Sequence, residues 1–248
     1  MATETGIISP IFFKEKENGT LRMILDLKSV NLNVNYVHFK MQSLGDVKNL
    51  IELNDYFVTI DIKSAYDSVP IHADDRKFLQ FQVNGKTYQY KGWPNGLSEA
   101  PRLFTILLKP VSSLLGRLAI KCVMYIDDIL VMHKEKETLI NQAAFIIKLL
   151  TWLGFIINVE KSNVVPSQQT VFLGMHLDST NMMISLPERK VNNIVHLCKT
   201  YTENPFLDAR KLAKLIGKLQ ATRMAVLMGP FYMRNLQKCL IQATHLGG

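Results

Sequence analysis

Apolar residues fall into two kinds of run along this chain. Short continuous or alternating runs occupy 7–13 and 21–27, and the stretches Phe57-Val58-Thr59-Ile60 and Cys122-Val123-Met124-Tyr125. A period of three to four residues governs the long stretch at about 135–153 and almost everything after 185. The first kind predicts strands and the second amphipathic helices. Asn18-Gly19, set between the first two runs, is a hairpin signal. Ser185-Leu186-Pro187-Glu188 reads as a capping box with proline in the first turn. Val191, Ile194, Val195 and Cys198 then form one apolar stripe. A further helix is expected from Asp208, with Leu212, Leu215, Ile216 and Leu219 on one face and Lys211, Lys214 and Lys218 on another. That lysine face is either a solvated surface or a track for a phosphate backbone.

Composition narrows the class. At 248 residues, 48% apolar and 20% charged, the chain can bury a real core in one large domain or in two or three packed subdomains. No apolar run has the length of a membrane span, since 139–153 is interrupted by Asn141, Gln142 and Lys148. No secretory signal is visible, so a soluble protein of the cytoplasm or nucleus, without membrane partners, is expected. Cys122, Cys198 and Cys239 are far apart and form neither a zinc motif nor a disulfide framework. The net charge of +8 favours a polyanionic partner.

Candidate chemistry comes from aspartates in the wrong places. Asp61 ends an apolar, β-branched run that reads as a buried strand. A buried carboxylate costs several kcal/mol unless it is paired or binds a metal. Asp127-Asp128 sits between two more strand-like runs, which places both at the tip of a hairpin. Adjacent like charges repel, and a cation relieves that repulsion. Two strands delivering carboxylates suit hard ions such as magnesium. A pair of such ions is the apparatus of in-line nucleotidyl transfer. No nucleophile elbow, Walker loop or His-Glu-x-x-His offers a competing chemistry. The acidic pair Asp74-Asp75, followed by Arg76-Lys77, reads as a helix start or surface.

Around these aspartates the chain resembles the reverse transcriptases. Tyr125-Ile126-Asp127-Asp128 is similar to their Tyr-x-Asp-Asp signature, and Asp61-Ile62-Lys63-Ser64-Ala65-Tyr66 to their first catalytic motif. Residues 21–27 with Asn31 look like the fingers strand, and Pro94-Asn95-Gly96-Leu97-Ser98 with Ala100-Pro101 and Phe104 like the template and nucleotide contact. Leu153-Gly154-Phe155 with Lys161, then Phe172-Leu173-Gly174 as a primer grip, complete the order from about 6 to about 240. Residues 96–110 and Phe172-Leu173-Gly174-Met175 with Asp178-Ser179 look most like DIRS-type retrotransposons, with long-terminal-repeat elements and retroviruses next.

The resemblance implies an α+β right-hand polymerase: fingers at 1–54 returning at about 78–104, a palm at 55–184, and a helical thumb at 185–248. It implies RNA-directed DNA polymerisation from deoxynucleoside triphosphates on an RNA or DNA template with a primer. Asp61 and Asp127 would be the main ligands of two Mg2+ ions, which Mn2+ could replace, with Asp128 supporting and the Ile62 carbonyl adding a ligand. Tyr66 falls where the family has its steric gate against ribonucleotides, though a core tyrosine would look the same. Arg22 aligns with the triphosphate clamp, and Lys14 or Lys16 with its lysine partner. Asn95 and Gly96 would meet nucleotide and template, Asn95 departing from the family's usual residue. Lys161 is either the general acid for pyrophosphate or an ordinary salt-bridged lysine. RNase H and other retroelement domains would come from flanking sequence. The rivals are a viral RNA-dependent RNA polymerase palm and an inactive nucleic-acid-binding module.

Overall fold

The structure is a computed structural model describing residues 6–15, 19–35, 37–203, 208–226 and 228–246. Lys16 and Asn18, two residues the sequence singles out, lie outside these. In chain order β1 (Ile11–Glu15) and β2 (Leu21–Leu25) are followed by α1 (Lys28–Asn31), α2 (Leu44–Leu50) and β3 (Tyr56–Asp61). A 3-10 turn (Ala73–Phe78) leads to β4 (Gln80–Val83), β5 (Lys86–Gln89) and α3 (Ala100–Arg117). Then come β6 (Lys121–Tyr125), β7 (Asp128–His133), α4 (Lys136–Trp152), β8 (Asn163–Ser167), β9 (Gln169–Phe172), β10 (Met175–Asp178) and β11 (Met183–Ser185). Three helices close the chain: α5 (Glu188–Glu203), α6 (Ala209–Gln220) and α7 (Gly229–Leu246). Among the described residues, no helix is long and apolar enough to cross a membrane.

A four-stranded sheet in the order β6-β7-β3-β8 carries the two aspartate motifs on its central strands. β3 and β7 are buried at most positions on both faces, which explains why their sequences run apolar instead of alternating. The chain divides into two compact units. Residues 1–43, 59–131 and 140–164 form the first, and 44–58, 132–139 and 165–248 the second.

In the first unit, Ala100, Phe104, Leu108, Val111 and Leu115 give α3 one buried stripe. Pro101 sits in its first turn, where a missing N–H is harmless. The Phe104 ring is fully buried and meets Tyr66 and Phe155 edge-on at 5.8 and 5.9 Å. Phe104→Ala is therefore expected to lower the unfolding free energy by ~3–5 kcal/mol, read by denaturant titration. A separate cluster of Leu25, Leu27, Val30, Ile71 and Leu79 packs Trp93 against it, a structural use of that ring.

In the second unit, β9, β10 and β11 form an antiparallel meander. Asp178 closes its last turn by accepting hydrogen bonds from Thr180 and Asn181, backbone and side chain alike. These bonds hold its carboxyl far below the usual carboxylate range. A depressed folded-state pKa stabilises above the ordinary value and loses that effect as pH falls through the folded one. Asp178→Ala should thus lower the melting temperature at neutral pH, and the gap from the parent should close in acid.

The capping box is corrected by the structure. Ser185 is the last residue of β11 and pairs with His176, so it is committed to the sheet. The Pro187 carbonyl instead accepts the first helical bonds, from Lys190 and Val191, and α5 starts two residues later than expected. The helix read as starting near Asp208 does start there, as α6, and the Asp208 side chain caps it by accepting from the Lys211 amide at 2.7 Å.

Candidate active site

Asp61 stands at the buried end of β3. Its amide donates to Ser162 Oγ at 3.0 Å, and its carbonyl accepts from the Asn158 amide at 2.8 Å. Ser162 Oγ donates in turn to the Asn158 carbonyl. The 158–162 turn thereby fixes the strand end from behind. Ile62 next to it bridges Ile157, but its own amide donates to the Asp127 carbonyl at 2.8 Å. One backbone bond thus ties the two aspartate motifs together.

The turn between β6 and β7 is Ile126-Asp127, and Ile126 has φ 55°. A β-branched residue in the left-handed region costs about 1–3 kcal/mol and persists only where surroundings over-determine it. Of the two aspartates, Asp127 is the one in the turn. Asp128, expected beside it there, begins β7 instead.

A cleft of about 560 Å³ in the first unit gathers most of the predicted residues. Arg22, Asp61, Ile62, Tyr66, Asn95, Asp127 and Lys161 all line it; Asp128 and Gly96 do not. Burial, then repulsion from Asp61, raises the Asp127 pKa, while Lys161 opposes the rise. Burial, then repulsion from Asp127 and Asp61, pushes Asp128 up to about 6. Asp61 and Asp127 are thus both close enough to Asp128 to disfavour its charge. Among the described residues, no three His, Cys, Asp or Glu side chains converge tightly enough to enclose an ion unaided. An all-oxygen set with few carboxylates nevertheless fits magnesium, which is commonly held by one or two carboxylates plus substrate phosphates.

Tyr66 is positioned from three sides. Phe104 holds its ring edge, the Trp93 amide donates to its carbonyl at 3.2 Å, and Gly92 packs on the next residue. A Cβ on Gly92 would lie 2.2 Å from the Asp67 carbonyl oxygen, so only glycine fits. Burial, followed by the charge of Asp127, pushes the Tyr66 hydroxyl up to about 12, keeping it neutral.

Arg22 pairs across the β1–β2 hairpin with Lys14, so the two side chains share a face. Lys16, the other candidate lysine, lies outside the described residues. Gly96 (φ 101°) is pinned by Asn31, whose amide donates to its carbonyl and whose Oδ1 accepts from Ser98, both at 2.9 Å. Asp74 and Asp75 lie exposed on the 3-10 turn.

In the second unit, Phe172, Leu173 and Gly174 form the tip of the β9–β10 hairpin. Two of the three α6 lysines are engaged. Lys211 pairs with Asp208 at 3.4 Å, and Lys218 donates to Asn193 at 2.7 Å. Lys214 is exposed.

Sequence reading missed Ser162, Asn158, Gly92 and Asp67. Asp67 lines the cleft, where burial raises its pKa against the opposing Ser64 hydrogen bond and Arg22 charge. Its signal was available: a second acid only six residues beyond Asp61.

The family model described as reverse transcriptase (RNA-dependent DNA polymerase) matches residues 14–177. The chain belongs to the reverse transcriptase family. It is 30% identical over 186 residues to the Gag-Pol polyprotein of Walleye dermal sarcoma virus, covering 74% of the chain and 10% of that protein. It is 27% identical over 168 residues to the Transposon Tf2-3 polyprotein of Schizosaccharomyces pombe, covering 68% of the chain and 12% of that protein. This reverse transcriptase chain therefore spans only about a tenth of these curated relatives. A foamy viral protease-reverse transcriptase solved with double-stranded DNA superposes with a TM-score of 0.77 at 24% identity, covering 96% of this chain and 40% of that one. The α+β fold is that of the right-hand polymerases.

Proposed function

We propose that this chain is the polymerase core of a retroelement reverse transcriptase, extending a primer from deoxynucleoside triphosphates on an RNA template. The observation that carries this reading is the shared cleft of Arg22, Asp61, Tyr66, Asn95, Asp127 and Lys161. Residues 1–54, with a return at 78–104, serve as fingers, 55–184 as palm and 185–248 as thumb. The likeness of residues 96–110 and 172–179 to DIRS-type elements supports placing it in that branch.

Asp61, Asp127 and the Ile62 carbonyl would hold two Mg2+ ions, with Asp128 in support. When bound, such ions acidify the primer hydroxyl and neutralise the charge of the triphosphate. Arg22, with Lys14 on the same face, binds the triphosphate by charge-assisted hydrogen bonds. Tyr66 lies beneath the sugar and excludes a 2′-hydroxyl. Asn95 contacts the nucleotide, and Gly96, held by Asn31, supports the template. Lys161 is placed to protonate the leaving pyrophosphate. Phe172, Leu173 and Gly174 support the primer, and Lys214, with Lys211 and Lys218 beside it, tracks the duplex backbone. Binding to duplex, as in the foamy viral neighbour, would be largely independent of sequence.

The test is primer extension on a heteropolymeric RNA template with Mg2+, supplied with either deoxy- or ribonucleotides. Extension from deoxynucleotides alone is expected. Equal use of ribonucleotides would point to an RNA polymerase, and template binding without extension to an inactive binding module.

A further inference from the structure

We infer that Lys190, on the first turn of α5, is a positioning residue that locks the Phe172–Met175 turn in its working shape. The proposal rests on the reading of that turn as a primer support. Phe172 pairs with Met175, so Leu173-Gly174 is a two-residue hairpin loop. Both loop residues have positive φ, 48° and 71°. Such loops favour Asn-Gly or Asp-Gly, whose first residue tolerates the left-handed region. Leucine does not, so the turn carries strain that something outside it must offset.

Lys190 is that outside contact. Its ammonium donates to the Gly174 carbonyl at 2.7 Å. A Cβ on Gly174 would lie 2.2 Å from Lys190 Nζ, so the ammonium occupies the space a side chain would take. Lysine is also out of place for the helix itself. The first turn of α5 presents the positive end of the helix dipole, which favours acids such as Glu188 and disfavours cations. A lysine there is accounted for by the carbonyl it reaches. Lys190 thus couples the hairpin tip to the first thumb helix, both within the second unit.

The experiment compares the parent with Lys190→Met, which keeps the stem and removes the donor, with Lys190→Arg, which restores one, and with Gly174→Ala, which displaces the ammonium. Release of a fluorescent primer–template is read by stopped flow, and steady-state extension separately. Losing one exposed charge-assisted hydrogen bond should speed release about threefold to tenfold in Lys190→Met. In Lys190→Met the nucleotide KM, read by single-turnover incorporation on a preformed complex, should stay at the parent value, because Lys190 does not line the nucleotide cleft. Lys190→Arg should recover most of the parent's residence time. The double variant Lys190→Met/Gly174→Ala should release no faster than Gly174→Ala alone. Parent-like release in Lys190→Met, or multiplying effects in the double variant, would overturn the proposal. A parent that binds duplex but extends nothing would count against polymerase activity, while release rates would still decide the role of Lys190.

Discussion

Asp127→Asn is expected to abolish primer extension while leaving primer–template affinity within about twofold of the parent. Asp127 is the aspartate in the β6–β7 turn, follows a strained Ile126 there, and is tied through its carbonyl to the Ile62 amide. Asparagine preserves the shape and those backbone bonds and removes only the charge. A metal ion is worth several kcal/mol of transition-state charge stabilisation, and at about 1.4 kcal/mol per decade its loss slows extension by about 10³-fold or more. Duplex binding, proposed to rest on basic side chains elsewhere, should persist. Single-turnover extension alongside anisotropy binding separates the two effects. Extension at the parent's rate would exclude a metal role for this carboxylate.

Tyr66→Val should have the second largest effect, on the choice of sugar. The ring is held edge-on by Phe104 at 5.8 Å and cannot simply swing aside, and the hydroxyl stays neutral because its pKa is pushed up to about 12. Forcing an extra group against a fixed wall costs ~1–3 kcal/mol. Removing the wall should therefore narrow the deoxy-to-ribonucleotide preference by about 10–100-fold, with a smaller loss in deoxynucleotide use. Tyr66→Phe keeps the ring and should keep the preference. If Tyr66→Val discriminates as well as the parent, the ring serves only the core.

The elements that announced themselves in the sequence did so by local contradiction or local order. An aspartate ending the apolar β3 run and the adjacent pair Asp127-Asp128 between two further apolar runs were visible without any tertiary knowledge. So was the buried stripe of α4, where Leu139, Ala143, Ile146 and Leu150 recur at helical spacing. The Asp208 cap was readable because its partner is three residues away. What stayed hidden depends on residues distant in sequence. Ser162 braces Asp61 from 101 residues away and Asn31 pins Gly96 from 65, distances at which periodicity carries no information. Gly92 is required by the Asp67 carbonyl lying against it, which nothing in its neighbours reveals. The Ser185 capping box failed for a related reason: β10 claimed the serine for the sheet. The β1–β2 register, which sets Lys14 opposite Arg22, was likewise not readable from the turn between them.

The most direct measurement is Mn2+ titration followed by electron paramagnetic resonance, using the chain with an RNA template and a dideoxy-terminated primer that blocks chemistry. With deoxynucleoside triphosphate present, the parent should bind two ions in the protein complex, and Asp61→Asn and Asp127→Asn should each lose this binding. Ion binding that is absent in the parent, or unchanged in both variants, would contradict a nucleotidyl-transfer site built on these carboxylates.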